Sequence, residues 1–144
     1  MADDTHSFES SADISAPPAA VWAVLVDAGH WSDWDSGVES VAGTVAPGQR
    51  ITIVAKVAAG RSFPVKVTTF EPASKLVFTG GMPLGLFKGV RTYTLTPSGS
   101  GTKVTMREVY SGAMLGAIWK SIPDLGPSFQ QFVDGLKKRV EAGA

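Results

Sequence analysis

Gly89–Gly112 reads GVRTYTLTPSGSGTKVTMREVYSG. At its centre Pro97-Ser98-Gly99-Ser100-Gly101 is turn chemistry, because glycine tolerates positive φ and proline fixes its own φ. On either side runs an alternating segment of β-branched and aromatic residues, the pattern of a half-buried strand. The spacing predicts an antiparallel pair in which Leu95 faces Val104, Tyr93 faces Met106, Arg91 faces Glu108 and Gly89 faces Tyr110. Side chains alternate with period two, so all of these lie on one face. That face is mostly apolar, yet it sets an arginine opposite a glutamate. What it looks onto depends on the rest of the chain.

Outward from this hairpin the strand signals continue upstream, over about 38–45, 49–59, 62–71, 75–82, 86–96 and 102–111, with turns at Val45–Gly48, Ala59-Gly60 and Pro72–Ser74. Ile51, Ile53, Ala55 and Val57 alternate with polar or outward positions, as do Phe63, Val65 and Val67. Regular short strands with turn punctuation predict one antiparallel meander. Before it, Ser7–Ser15 alternates as a first strand. Pro18–Asp27 then reads as a helix with proline in its first turn and Ser15 as a possible cap. A second short helical turn is expected over Gly29–Trp34. After the hairpin a short helix is expected at about 114–121. A long one follows at about 124–142, where Leu125, Phe129, Phe132, Val133, Leu136 and Val140 recur at three- and four-residue steps. Pro123 and Pro127 should interrupt any continuous helix from Met114 onward. The fold class is therefore α+β: a seven-stranded antiparallel sheet, too wide to stay flat, curled around a long C-terminal helix. A curled sheet with a helix across its mouth encloses space.

The totals exclude several functions. The chain has 144 residues, enough for one domain over about 7–142 behind a polar tail at 1–6. Lysine plus arginine equals aspartate plus glutamate at 13 each. With no basic stripe, nucleic acid is not an expected partner. There is no cysteine and there are two histidines, His6 and His30, so disulfides, thiol nucleophiles and the usual zinc frameworks are out and no metal or other cofactor is expected. No apolar run approaches the roughly 20 residues of a membrane span. MADDTHSFES lacks a basic n-region and an apolar run, so no signal peptide is expected and the location expected is cytoplasmic.

The element order, with Ile14-Ser-Ala-Pro-Pro-Ala-Ala-Val-Trp-Ala-Val-Leu-Val-Asp27, Trp31-Ser-Asp-Trp34 and the Thr92–Met106 hairpin, resembles the helix-grip fold of the START-like, Bet v 1-like superfamily. The opening followed by a nearby tryptophan looks like its bacterial polyketide cyclase/dehydrase-like branch. The sequence departs from that pattern at Asp35-Ser36, where relatives often carry Asn-Pro. The resemblance runs over about 7–140 and implies a binder of apolar ligands, or else a cyclase.

Arg91 and Glu108 are the first candidates for chemistry. They form either a polar handle in an apolar cavity or a structural cross-strand pair with the stem of Arg91 packed. Tyr93 and Tyr110 share the face, as packed phenols tied to backbone or as ligand contacts. Met82, Met106, Met114 and Phe87, with Trp119, Phe129 and Phe132, form an apolar set near the same end, suited to irregular ligands and equally to a plain core. Gly80–Gly89 predicts a mobile hydrophobic lip and is no phosphate loop, lacking GKS/T and a following helix. In the cluster His30, Trp31, Asp33, Trp34, Asp35, a His–Asp base is conceivable, but residues crowded in one turn rarely reach triad geometry. Trp34 fits a cavity wall better.

Three readings follow. The first is a binding protein for a small hydrophobic or aromatic molecule such as a lipid, polyketide or isoprenoid. The second is an aromatase/cyclase that bends a poly-β-keto chain and moves protons through Arg91, Tyr93, Glu108 or Tyr110. The third is a protein-interaction module like the cochaperone branch of the same fold, which would need a charged or apolar surface patch. No His/Asp/Cys constellation marks a catalytic centre, which puts binding first. The sequence says nothing of oligomeric state.

Overall fold

The computed structural model describes residues 6–56 and 61–143. Residues 1–5 of the tail expected at 1–6, the end of the strand expected to reach residue 59, and the Ala59-Gly60 turn lie outside the described residues. The strands are β1 (Ser7–Ile14), β2 (Val38–Ala42), β3 (Arg50–Ala55), β4 (Ser62–Glu71), β5 (Lys75–Met82), β6 (Phe87–Ser98) and β7 (Gly101–Ser111). The helices are α1 (Pro18–Val26), α2 (Leu115–Ile118) and α3 (Gly126–Ala142), with 3-10 turns at Ala28–Asp33 and Trp119–Ser121. The strands form one antiparallel sheet in the order β1-β7-β6-β5-β4-β3-β2. It is a curled half-barrel with α3 laid along its concave face, the helix-grip arrangement.

The β6–β7 register is Leu95 to Val104, Tyr93 to Met106, Arg91 to Glu108 and Gly89 to Tyr110, as the alternation predicts. The turn is tighter than the sequence implied. Pro97 and Ser98 remain in the ladder opposite Thr102 and Gly101, and only Gly99 (φ 61) and Ser100 make the bend. Proline is accommodated there because the hairpin has run out beyond the body of the sheet, where a missing donor costs little. Register shifts between Val38 and Ser40 and between Val67 and Thr69 sharpen the curl on the β2–β5 side.

At one end the concave space is filled. Leu76, Leu95 and Val104 from the sheet meet Val21 and Leu25 of α1 and Val133, Leu136 and Val140 of α3, all buried. Trp31 is fully buried, its indole N–H donating to the Leu25 carbonyl at 3.0 Å and its ring packing on Phe132 at 4.9 Å. Ser15 is not the cap of α1. That position is Pro17, and Ser15 gives its N–H to Glu141 of α3 at 2.9 Å instead. Pro127 stands in the first turn of α3, where its missing N–H is harmless. Gln130 and Lys137 donate to the carbonyls of Ser11 and Asp13, tying α3 to β1. His6, assigned to the tail by sequence, accepts the Tyr110 N–H on its carbonyl and packs on Trp119.

Candidate functional site: a half-filled grip

Toward the other end of the sheet the packing stops and a cavity of about 380 Å³ opens, within the ~300–1,000 Å³ usual for small-molecule sites. It exists because of what the inner face carries there. Following β5 and β6 toward the mouth, Leu76 and Leu95 give way to Phe78 and Tyr93, then to Gly80 and Gly89, which are cross-strand partners in the cavity wall. Gly89 leaves out side-chain volume where the far end has leucines. At Gly80 a Cβ would strike Val65 Cγ1 at 2.8 Å and the Pro64 carbonyl oxygen at 2.9 Å, so that glycine serves the close approach of β4. A Cβ on Gly89 would meet only the Tyr110 ring at 3.5 Å and the Glu108 carboxyl at 3.7 Å, so the position is bare rather than sterically forced. Across the space stand Phe129 and Phe132 on the first turns of α3.

Arg91 and Glu108 project into this space. Arg91 Nε–H donates to Glu108 Oε1 at 2.9 Å, and the guanidinium lies 5.0 Å from the centre of the Phe129 ring, within cation–π range. Their side chains are 21% and 14% exposed, and both line the cavity, so what remains accessible faces it. Burial disfavours the charge on Arg91, but Glu108, followed by the two phenols, outweighs it and holds the group above its ordinary value. One N–H serves Glu108, leaving the terminal amino groups for another acceptor. The phenols behave differently. Burial first of all raises both, Glu108 adds to the rise, and Arg91 opposes it. Tyr93 lies close to Arg91, and Tyr110 to Glu108, yet neither hydroxyl meets hydrogen-bond geometry with any partner.

Phe87, Arg91, Met106, Glu108, Tyr110, Phe129 and Phe132, all singled out by sequence, line the cavity together. Five other candidates lie outside its lining. Trp34 packs on Phe132 from behind (5.2 Å) and shields the helix instead of facing the space. Tyr93 is sealed among Trp31, Phe78 and Phe132. Trp119 stacks on Phe8 (5.5 Å) and backs Tyr110. Met82 is on the outer rim, exposed, as is Met114. His30 bonds Asp27 at 2.8 Å on the exposed surface, away from the cavity. Sequence reading missed Ser36, a buried hydroxyl in the lining that donates to the Trp31 carbonyl at 2.7 Å, and the lining residues Phe78, Ile118 and Ile122. The Asp35-Ser36 departure was the available signal for Ser36.

The sequence pattern of the polyketide cyclase/dehydrase and lipid transport family matches residues 5–141. The chain belongs to that family. Solved structures share the fold. A Thermus thermophilus protein, 24% identical, superposes with a TM-score of 0.72 over 96% of this chain and 99% of its own. The Zhui aromatase/cyclase from Streptomyces sp. R1128, 13% identical, gives 0.71 over 94% and 93%. DynU16, from the dynemicin biosynthetic locus, gives 0.70 at 20% identity over 98% of this chain and 48% of its own. No curated protein matches the sequence. Family and fold together support a ligand-binding or cyclase-type function.

Proposed function

We propose that the chain binds a small hydrophobic molecule bearing one polar acceptor, held between the Gly80–Gly89 wall and α3 with Arg91 as its handle. The observation that carries this is a largely apolar cavity into which, among the described residues, one cross-strand ion pair projects. Phe87, Met106, Phe129 and Phe132 supply apolar contact, and the free guanidinium donors take a carbonyl or hydroxyl oxygen. At Arg91 a ligand carboxylate would compete with Glu108 for the same cation, which favours a neutral acceptor at that position.

A cyclase is the second reading, favoured by the gathering of Arg91, Glu108 and Tyr110 at one wall. Against it stand the raised phenols, which resist giving up a proton, and the engagement of Glu108 with Arg91. Binding therefore ranks first. Calorimetric titration with a polycyclic aromatic ketone and its parent hydrocarbon tests the reading. The ketone should bind about tenfold more tightly, the worth of one good hydrogen bond to a charged group, and Arg91→Met should erase the difference. Gly89→Leu should abolish binding of both. Unchanged binding in Gly89→Leu, or none by the native chain to either compound or to anything retained on purification from its own host, would refute it.

A further inference from the structure

The rim of the cavity carries apolar side chains that the fold leaves uncovered. Between β5 and β6 the chain turns at Pro83–Gly85, closed by the Leu86 N–H to the Pro83 carbonyl at 3.3 Å. Leu84 at its tip has φ 61 and ψ 26 and is 95% exposed. Left-handed backbone is costly for a residue with a branched side chain and natural for glycine or asparagine. Ala73, the other non-glycine residue at positive φ among those described, is half-buried against the core, so packing offsets its strain. Leu84 gains no such packing. An outlier of this kind, apolar and fully exposed, points to a use outside the folded chain.

The neighbours of Leu84 extend the patch. Met82 and Leu86 flank it and are exposed, and Met114, whose N–H bonds the Leu86 carbonyl at 2.8 Å, continues it onto α2. Phe63 on β4 is exposed and also lines the cavity, as do Gly81 and Phe87 beside the turn, so patch and opening are continuous. Arg61, Lys88 and Lys120 are exposed around this end. Asp124 stands in sequence between the lining residues Pro123 and Leu125, and its carboxylate accepts the Gly126 N–H at 3.0 Å. A chain without net charge thus presents an apolar tip in a cationic setting.

We propose that this rim docks on an anionic lipid surface, with the cavity mouth facing the bilayer. Apolar side chains would enter the boundary between headgroups and acyl chains while the basic ones stay among the headgroups. No described helix is long and apolar enough to cross a membrane, so the contact is with the surface. Flotation with phosphatidylcholine vesicles, with and without phosphatidylglycerol, tests it. The native chain should float with the anionic vesicles, less so as salt rises. Leu84→Asn, which suits the left-handed turn, should keep or raise the melting temperature and cut partitioning about tenfold, the worth of one leucine withdrawn from lipid. Lys88→Glu with Lys120→Glu should cost tenfold or more on anionic vesicles alone. Failure of the native chain to float, equal binding to both vesicle types, or full retention by Leu84→Asn overturns the proposal. So does a dimer that Leu84→Asn dissolves without any vesicle binding, since the rim would then be covering a second copy. None of these readouts depends on which molecule the cavity holds.

Discussion

At the closed end of the sheet, Leu76, Leu95 and Val104 meet Val133, Leu136 and Val140 of α3 with almost no surface left, and α1 seals the gap. About two turns earlier on the same helix, Phe129 and Phe132 look across open space at Gly80 and Gly89. Both ends alternate apolar residues with period two. They differ in volume supplied per position. A grip of this kind acquires a site by subtraction, and the one polar pair sits where filled core gives way to cavity.

The sharpest break of that contrast is at Gly135, on the seam. Its added Cβ would come within 2.0 Å of the Asp35 carbonyl oxygen, a backbone atom in the segment that carries Ser36 into the cavity. Gly135→Ala should cost at least about 3 kcal/mol in denaturant unfolding, or prevent folding, because α3 must lift away from that segment. Next, Leu136→Ala in the filled end should cost about 3 kcal/mol, whereas Phe87→Ala on the cavity wall should cost nearer 1 kcal/mol, since it borders space already. Equal losses would mean that the cavity collapses in solution.

Glu108→Gln tests the boundary layer. Breaking a buried pair leaves an uncompensated charge, worth about 3–5 kcal/mol in a sealed site. Here the cavity admits water, and about 2 kcal/mol is expected. Arg91→Met with Glu108→Leu should recover most of that loss while removing polar discrimination among ligands. Smaller still are the titrations. The chain has two tyrosines, and burial raises both. An ultraviolet titration should show no phenolate until the fold opens. A raised acid favours the unfolded, ionised state above the ordinary phenol range, near pH ~10, so stability should fall as pH climbs past it. The smallest effect belongs to His30, raised by its bond to Asp27. Its contribution is complete below the ordinary histidine value and fades as pH rises through the elevated one. His30→Asn should flatten that slope in melting temperature across neutral pH.

Much of the fold was legible because its signals are periodic. β4 and β5 fall at the expected residues, and the Arg91–Glu108 register follows from counting twos away from the turn. The site was legible only as a face. Alternation places Tyr93 and Arg91 on the same side, but depth along the sheet decides that one is sealed by Trp31 and Phe132 while the other reaches the cavity. Trp34 and Trp31 could not be told apart for a related reason. Each is a tryptophan in one short turn, and the indole bond to the Leu25 carbonyl, a contact set by tertiary packing, draws Trp31 inside. Ser36 escaped notice because a lone serine in a loop looks like solvent-facing turn chemistry.

The strand order carries one more consequence, for the timing of folding. β1, made first, pairs with β7, so most of the chain separates the partners (Ser7 with Val109, Ile14 with Thr102). Until β7 emerges from the ribosome the first strand has no neighbour in the sheet, and α1, which packs on α3 and on β6, waits longer still. Such non-local closure slows folding and exposes an unpaired edge meanwhile. A nascent chain therefore has no cavity to offer. The container and its lid are finished together, at the last helix.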